Sequence, residues 1–171
     1  MDKKQSRIKN LIMLLGIGGL LIAPDQWSKA LVRDQIALGS EVYPIPFLAP
    51  FFRFTYWKNT GAAFGIFQNA NLPLLILSIL ISGALIWIYF KSEEEPLTFR
   101  ISLAMMLGGA IGNMIDRIRF GFVTDFIAVG NFPVFNIADS AVTVGVAIML
   151  IVMLIQERKA KSKTDDGVQS E

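Results

Sequence analysis

Residues 121–143 read GFVTDFIAVGNFPVFNIADSAVT, and they place two aspartates, Asp125 and Asp139, in a run that is otherwise almost wholly apolar or small. The second half opens a long apolar segment, 136–156, with the length of a membrane-crossing helix. The first half carries Gly121, Gly130 and Pro133, the residues of a connector. Asp125 therefore falls in loop-like sequence. Asp139 falls on the first turns of a helix, where Asn136, Asp139, Ser140 and Thr143 share one face. A carboxylate beside a membrane span costs free energy, and such residues generally serve a function.

Outward from this stretch the chain is uniformly greasy. Apolar residues make up 53% of its 171 positions, and the mean hydropathy is +0.52, above that of an ordinary soluble domain. The net charge of +2 makes no electrostatic case for nucleic acid. Cysteine and histidine are both absent, which removes disulfides, thiol nucleophiles, histidine-based triads and the commonest zinc ligands together. Chemistry here must use Asp, Glu, Lys, Ser, Thr or Tyr, and nothing in the sequence calls for a cofactor or metal.

Four spans are expected. The first begins at 10–24, which rises only about 22 Å against an apolar core of about 30 Å. The helix is therefore expected to continue through Asp25 to around Arg33, uncleaved, with Asp25 and Lys29 one turn apart. The others are 71–90, 97–115 and 136–156. The third contains Gly108 and Gly112 in a GxxxG pair, expected to serve close helix packing, and continues into Asn113, Asp116 and Arg117 on one face, with Asp116 expected to partner Arg117 at the membrane. Between the first two spans, 35–68 is punctuated by Pro44, Pro46 and Pro50 and rich in aromatics. Glu41–Tyr43 and Phe51–Trp57 are expected to form strands of a small sheet at the membrane surface. Residues 1–157 read as one transmembrane domain, and 158–171 as a basic, disordered tail.

Lys3, Lys4, Arg7 and Lys9 precede the first span, and Arg158, Lys159, Lys161 and Lys163 follow the last. Basic flanks mark the cytoplasmic side, so both termini are expected inside. The segments 35–68 and 118–135 are then outside. This topology brings Asp25, Asn59, Asp116, Arg117, Asp125 and Asp139 into one layer at the outer face. Two carboxylates sharing a site hold one proton between them. One can then act as base on a water while the other polarises a carbonyl and protonates a leaving amine.

The motifs are Asp25-Gln-x-Ser-Lys29, Asn59-Thr-Gly-Ala-Ala-Phe64, Gly108-Gly-Ala-x-Gly-Asn113-x-x-Asp116-Arg117, Val-x-Asp125-Phe-Ile127 and Phe135-Asn136-x-Ala-Asp139-Ser140. In this order the chain resembles the signal peptidase II (lipoprotein signal peptidase) family of bacterial membrane aspartic proteases. The resemblance implies an all-α membrane protein of four transmembrane helices with a small extracytoplasmic β-cradle and a short surface helix near 65–71. It implies Asp125 and Asp139 as the catalytic dyad, with Asp25, Lys29, Asn59, Gly61, Asn113, Asp116, Arg117, Asn136 and Ala138 lining or supporting the site. It also implies diacylglyceryl-modified prolipoproteins as substrates, cut just before the lipidated cysteine. The expected setting is the inner membrane, among its lipids, as a monomer sensitive to globomycin. Two departures stand out: Pro24 precedes Asp25, and Thr124 replaces the more usual valine before Asp125.

Other readings weigh less. Ser28 and Lys29 cannot form a serine–lysine centre, because adjacent helical residues do not face each other. A carrier with Asp25, Asp116 and Asp139 as relays would more often show midplane charges and internal repeats. A non-catalytic assembly factor would fit only if the two aspartates lay far apart.

Overall fold

The computed structural model describes residues 3–61 and 67–168. In chain order it contains helix α1 (Lys3–Gln35), strand β1 (Glu41–Val42), a single 3-10 turn at Pro46–Leu48, strand β2 (Phe52–Asn59), helices α2 (Asn71–Lys91) and α3 (Leu97–Phe120), strand β3 (Val123–Val129) and helix α4 (Ile137–Val168). All four helices are long and apolar enough to cross a membrane. Their outward surfaces carry exposed Leu20, Leu80, Trp87 and Leu154, side chains suited to lipid rather than water.

α3 is the central helix and touches the other three. Its small residues make this possible. A Cβ added to Gly108 would stand 3.3 Å from the Gly18 backbone of α1, and one added to Gly109 would run into the Ala138 carbonyl of α4. A Cβ on Gly112 would lie 2.8 Å from a carboxylate oxygen of Asp25. The expected packing role of the GxxxG pair holds for Gly108 and also for Gly112, where an added Cβ would stand 3.2 Å from the Ala138 Cβ of α4; Gly112 in addition makes room for a buried charged group. Leu14, Leu85, Tyr89, Leu103, Ala104 and Leu107 form the apolar core at one end of the bundle. Val32, Tyr56 and Phe126 form a second core beneath the sheet at the other end.

The sheet is antiparallel with β2 in the middle. Both strands expected in 35–68 are present, β1 shorter and β2 extended to Asn59. The connector 118–135 differs from expectation: Asp125 lies on β3, opposite Trp57, and not in a loop. The cause is local. α3 runs on to Phe120 and ends at Gly121, which takes a left-handed φ of +78° and donates its N–H to the Arg117 carbonyl at 3.1 Å. Glycine tolerates this helix-ending conformation without a Cβ penalty. The chain then turns straight into Val123-Thr124-Asp125, whose β-branched residues favour a strand.

As expected, α1 runs through Pro24 and Asp25, ending at Gln35. Residues 62–66, which hold part of the Asn59–Phe64 motif and of the surface helix expected near 65–71, lie outside the described residues; Phe67–Asn69 form a turn. α4 stays helical to Val168, beyond the point where disorder was expected, and Lys161 pairs with Glu157 one turn away at 2.6 Å.

Candidate active site

Asn136 stands immediately before α4, and the two groups that cap the helix are the ones that join the aspartates. The Asn136 side-chain oxygen accepts the Asp139 N–H at 2.9 Å, and the Asp139 carboxylate accepts the Asn136 N–H at 3.2 Å. This reciprocal arrangement satisfies donors that a helix start leaves open. The Asn136 amide nitrogen then donates to Asp125 at 2.7 Å and to the Asn113 side-chain oxygen at 3.1 Å. Asn113 in turn donates to Asp139 at 2.7 Å. Two asparagines, one from α3 and one from the start of α4, thus tie the aspartates into one network.

The remaining oxygen of Asp125 accepts from Asn59 at 2.9 Å. Asn59 is itself held by the Gly61 N–H at 2.9 Å, and the Gly61 carbonyl accepts from Arg117 at 3.2 Å. On the α1 side, Lys29 is fully buried, pairs with Asp25 at 2.9 Å and donates to Asn113 at 2.8 Å. Asp25 accepts the Ala138 N–H at 2.9 Å, so it also holds the start of α4. Every residue singled out from the sequence for this site therefore takes part in one connected cluster, or supplies backbone to it. The pairing of Asp116 is the correction. Its partners are Lys29 at 3.7 Å, Arg33 at 3.6 Å, the Gln26 amide at 3.4 Å and the Thr124 N–H at 2.8 Å, not Arg117. Consecutive residues on a helix point about 100° apart, which separates Asp116 from Arg117.

Two participants were missed. Gln26 donates to Asp25 at 3.1 Å and to the Gly112 carbonyl at 2.9 Å. Arg33 reaches Thr124 at 2.8 Å. The signal for Arg33 was present, since it lies one turn beyond Lys29 and two beyond Asp25 on the same face of α1. The hydroxyl of the rival serine–lysine reading is engaged elsewhere, Ser28 donating to the Asp25 carbonyl at 2.9 Å; Ser140, on the Asp139 face of α4, likewise donates to the Asn136 carbonyl at 3.0 Å.

The cluster sets four carboxylates (Asp25, Asp116, Asp125, Asp139) against three bases (Lys29, Arg33, Arg117), leaving one negative charge in excess. A poorly solvated site favours taking up a proton to offset it. Asp125 lies on the sheet outside the spans. Burial first and the Asp139 charge second raise its pKa to about 7, against the opposing pull of Asn59, Asn136 and Lys29. Between about pH 4 and about pH 7 the folded protein thus keeps a proton that the unfolded chain has lost, so stability falls as pH rises through this window. The expected result is a thermal midpoint in detergent that declines from pH 5 to pH 7.5, with a shallower decline in Asp125→Asn. Parallel slopes in the two proteins would contradict the proton on Asp125.

Four membrane-length helices enclosing a buried layer of carboxylates at one end define a multi-pass membrane enzyme. Residues 17–155 match the family described as Signal peptidase (SPase) II, and the chain belongs to that family, whose members are proteases that remove signal peptides from prolipoproteins. Similar proteins include the lipoprotein signal peptidases of Enterococcus faecalis, 35% identical over 88% of this chain and 93% of that one, and of Moorella thermoacetica, 39% identical over 80% and 89%. A bacterial membrane enzyme solved by the in meso method at 2.3 Å resolution superposes with a TM-score of 0.79 at 32% identity, covering 84% of this chain and 88% of the other.

Proposed function

We propose that this protease cleaves diacylglyceryl-modified prolipoproteins just before the lipidated cysteine, using water activated between Asp125 and Asp139. The observation that carries the reading is the joining of these two aspartates through Asn136 and Asn113. The ionised member of the pair takes a proton from the water as its oxygen attacks the scissile carbonyl carbon. The protonated member hydrogen-bonds the carbonyl oxygen and passes its proton to it. As the tetrahedral intermediate collapses and the C–N bond breaks, the first carboxylate gives its proton to the amine of the new N-terminal cysteine, and a hydroxyl proton of the intermediate returns to the second carboxylate as the C=O bond re-forms. Water is consumed, and the pair ends with the proton count it began with.

The other site residues divide by what they touch. Asn136 and Asn113 hold the pair in register, Lys29 and Asp25 anchor Asn113 and the start of α4, and Asp116 anchors the start of β3. Asn59, Gly61, Arg117 and Ala138 surround the pair where a peptide would lie. Depth explains the location. A cysteine that carries two acyl chains sits at the membrane boundary, and the pair lies where the spans meet the sheet. α1 begins and α4 ends at the opposite end of the bundle, each flanked by basic residues. This supports an inner-membrane protein with both termini cytoplasmic and the site near the outer face. Globomycin is the expected inhibitor, and a monomer among membrane lipids the expected state.

The test is a gel-shift cleavage assay in detergent with a prolipoprotein in diacylglyceryl-modified and unmodified forms. Cleavage of the modified form alone, blocked by globomycin, is expected. Equal cleavage of both forms would remove the lipid requirement, and cleavage of neither would refute the substrate assignment.

A further inference from the structure

We propose that Arg33 and Thr124 form a latch that positions Asp125 for the reaction, a reading that rests on Asp125 being one of the two catalytic carboxylates. The Arg33 Nη1 donates to the Thr124 Oγ1 at 2.8 Å and lies 3.6 Å from the Asp116 carboxylate. The Thr124 backbone N–H donates to the other oxygen of Asp116 at 2.8 Å. The guanidinium also sits over the Phe120 ring, 4.3 Å from its centroid. Thr124 is fully buried. The residue preceding Asp125 is therefore held by its backbone and its side chain at once, from α3 and α1 respectively.

The strand geometry explains why a second tether is useful. β3 is the end strand of the sheet, held on its outer side by Phe135 only beyond Asp125, at Phe126 and Ile127, and the β2–β3 register shifts between Phe54 and Trp57, next to the position opposite Asp125. Ladder hydrogen bonds are disrupted at such an irregularity, so pairing with β2 leaves the height of Asp125 less constrained than a regular ladder would. Consecutive strand residues point to opposite faces. Thr124 engages Arg33 on one face, and Asp125 engages Asn59 and Asn136 on the other. Pulling on the first face sets the second. An arginine suits the task because its planar fork can donate to Thr124, approach Asp116 and stack on Phe120 together, which a lysine cannot do.

Arg33 and Thr124 act through Asp125, so their loss is expected in kcat and not in KM. Thr124→Val keeps the shape and removes the acceptor; Thr124→Ser keeps the acceptor. Arg33→Gln, at a partly exposed site, provides an independent test should Thr124→Val fold poorly. With diacylglyceryl-modified prolipoprotein as substrate, Thr124→Val and Arg33→Gln are each expected to lower kcat about tenfold, the kinetic equivalent of one hydrogen bond to a charged group. KM should stay within about twofold. Thr124→Ser should restore kcat, and the double variant should be no worse than the poorer single one, because both remove the same link. Wild-type kcat in Thr124→Val and Arg33→Gln, failure of Thr124→Ser to restore kcat, or losses that add in the double variant would each overturn the latch. Asp125→Asn is assayed alongside. If it retains turnover, the two-aspartate reading falls and the latch with it; if it is inactive while the losses add, the latch alone falls.

Discussion

Asp125→Asn and Asp139→Asn are each expected to lower turnover on the order of a thousandfold or more while the protein stays folded and inserted. The proposed reaction needs one carboxylate to take a proton from water and another to donate one, and a carboxamide can do neither. General acid–base catalysis contributes about 10²–10⁴-fold for each group, and here both depend on an intact pair. The surrounding network predicts that folding survives. Asparagine keeps the side-chain volume and an oxygen that can accept from Asn136 or Asn59 at position 125, and from Asn113 at position 139. The check is the gel-shift assay beside a thermal scan in detergent. Turnover near the wild-type rate in either folded variant would end the two-aspartate assignment. It would also leave no hydroxyl in easy reserve, because Ser28 and Ser140 already donate to backbone carbonyls.

Asp116→Ala is expected to damage the fold as severely as the dyad variants damage chemistry. Asp116 is fully buried and faces Lys29, which is also fully buried, and Arg33, whose side chain is 16% exposed. Removing one partner of a buried ionic group leaves charge uncompensated and typically costs about 3–5 kcal/mol. The Thr124 N–H loses its acceptor as well, at a further cost of about 1 kcal/mol or more. A fall in the thermal midpoint on the order of 10 °C follows for a chain of this length, with activity lost in parallel. Asp116→Asn keeps the acceptor for Thr124 but not the charge, and should fall between the two. A midpoint within a degree or two of wild type in Asp116→Ala would show that the charges of Lys29 and Arg33 are balanced without it.

The reassignment of Asp116 shows where linear sequence stops being informative. Asp116 and Arg117 are adjacent, and adjacency suggests a pair. Helical geometry turns them apart, so that Arg117 supports Gly61 while Asp116 faces α1 and β3. The same limit applies to Asp125. Gly121, Gly130 and Pro133 read as loop punctuation, yet the residues between Gly121 and Gly130 gain a sheet partner in β2, nearly seventy positions upstream. A strand's stability rests on cross-strand neighbours that no local window contains.

The four spans, the gathering of polar residues at one end of them, and the chemistry left available without histidine or cysteine were all legible in the linear chain. They follow from hydropathy, helix length and the basic flanks, which act residue by residue. How the charges are matched was settled by packing in three dimensions. It set Lys29 between Asp25 and Asp116, brought Arg33 to Thr124, and made Asn136 both the helix cap and the bridge between the aspartates. Pairing in a poorly solvated layer depends on distances of a few ångströms between separate elements, because a buried charge is stable only where a partner meets it. Those distances arise when α1, α3, α4 and the sheet pack together, with Gly109 and Gly112 letting them approach.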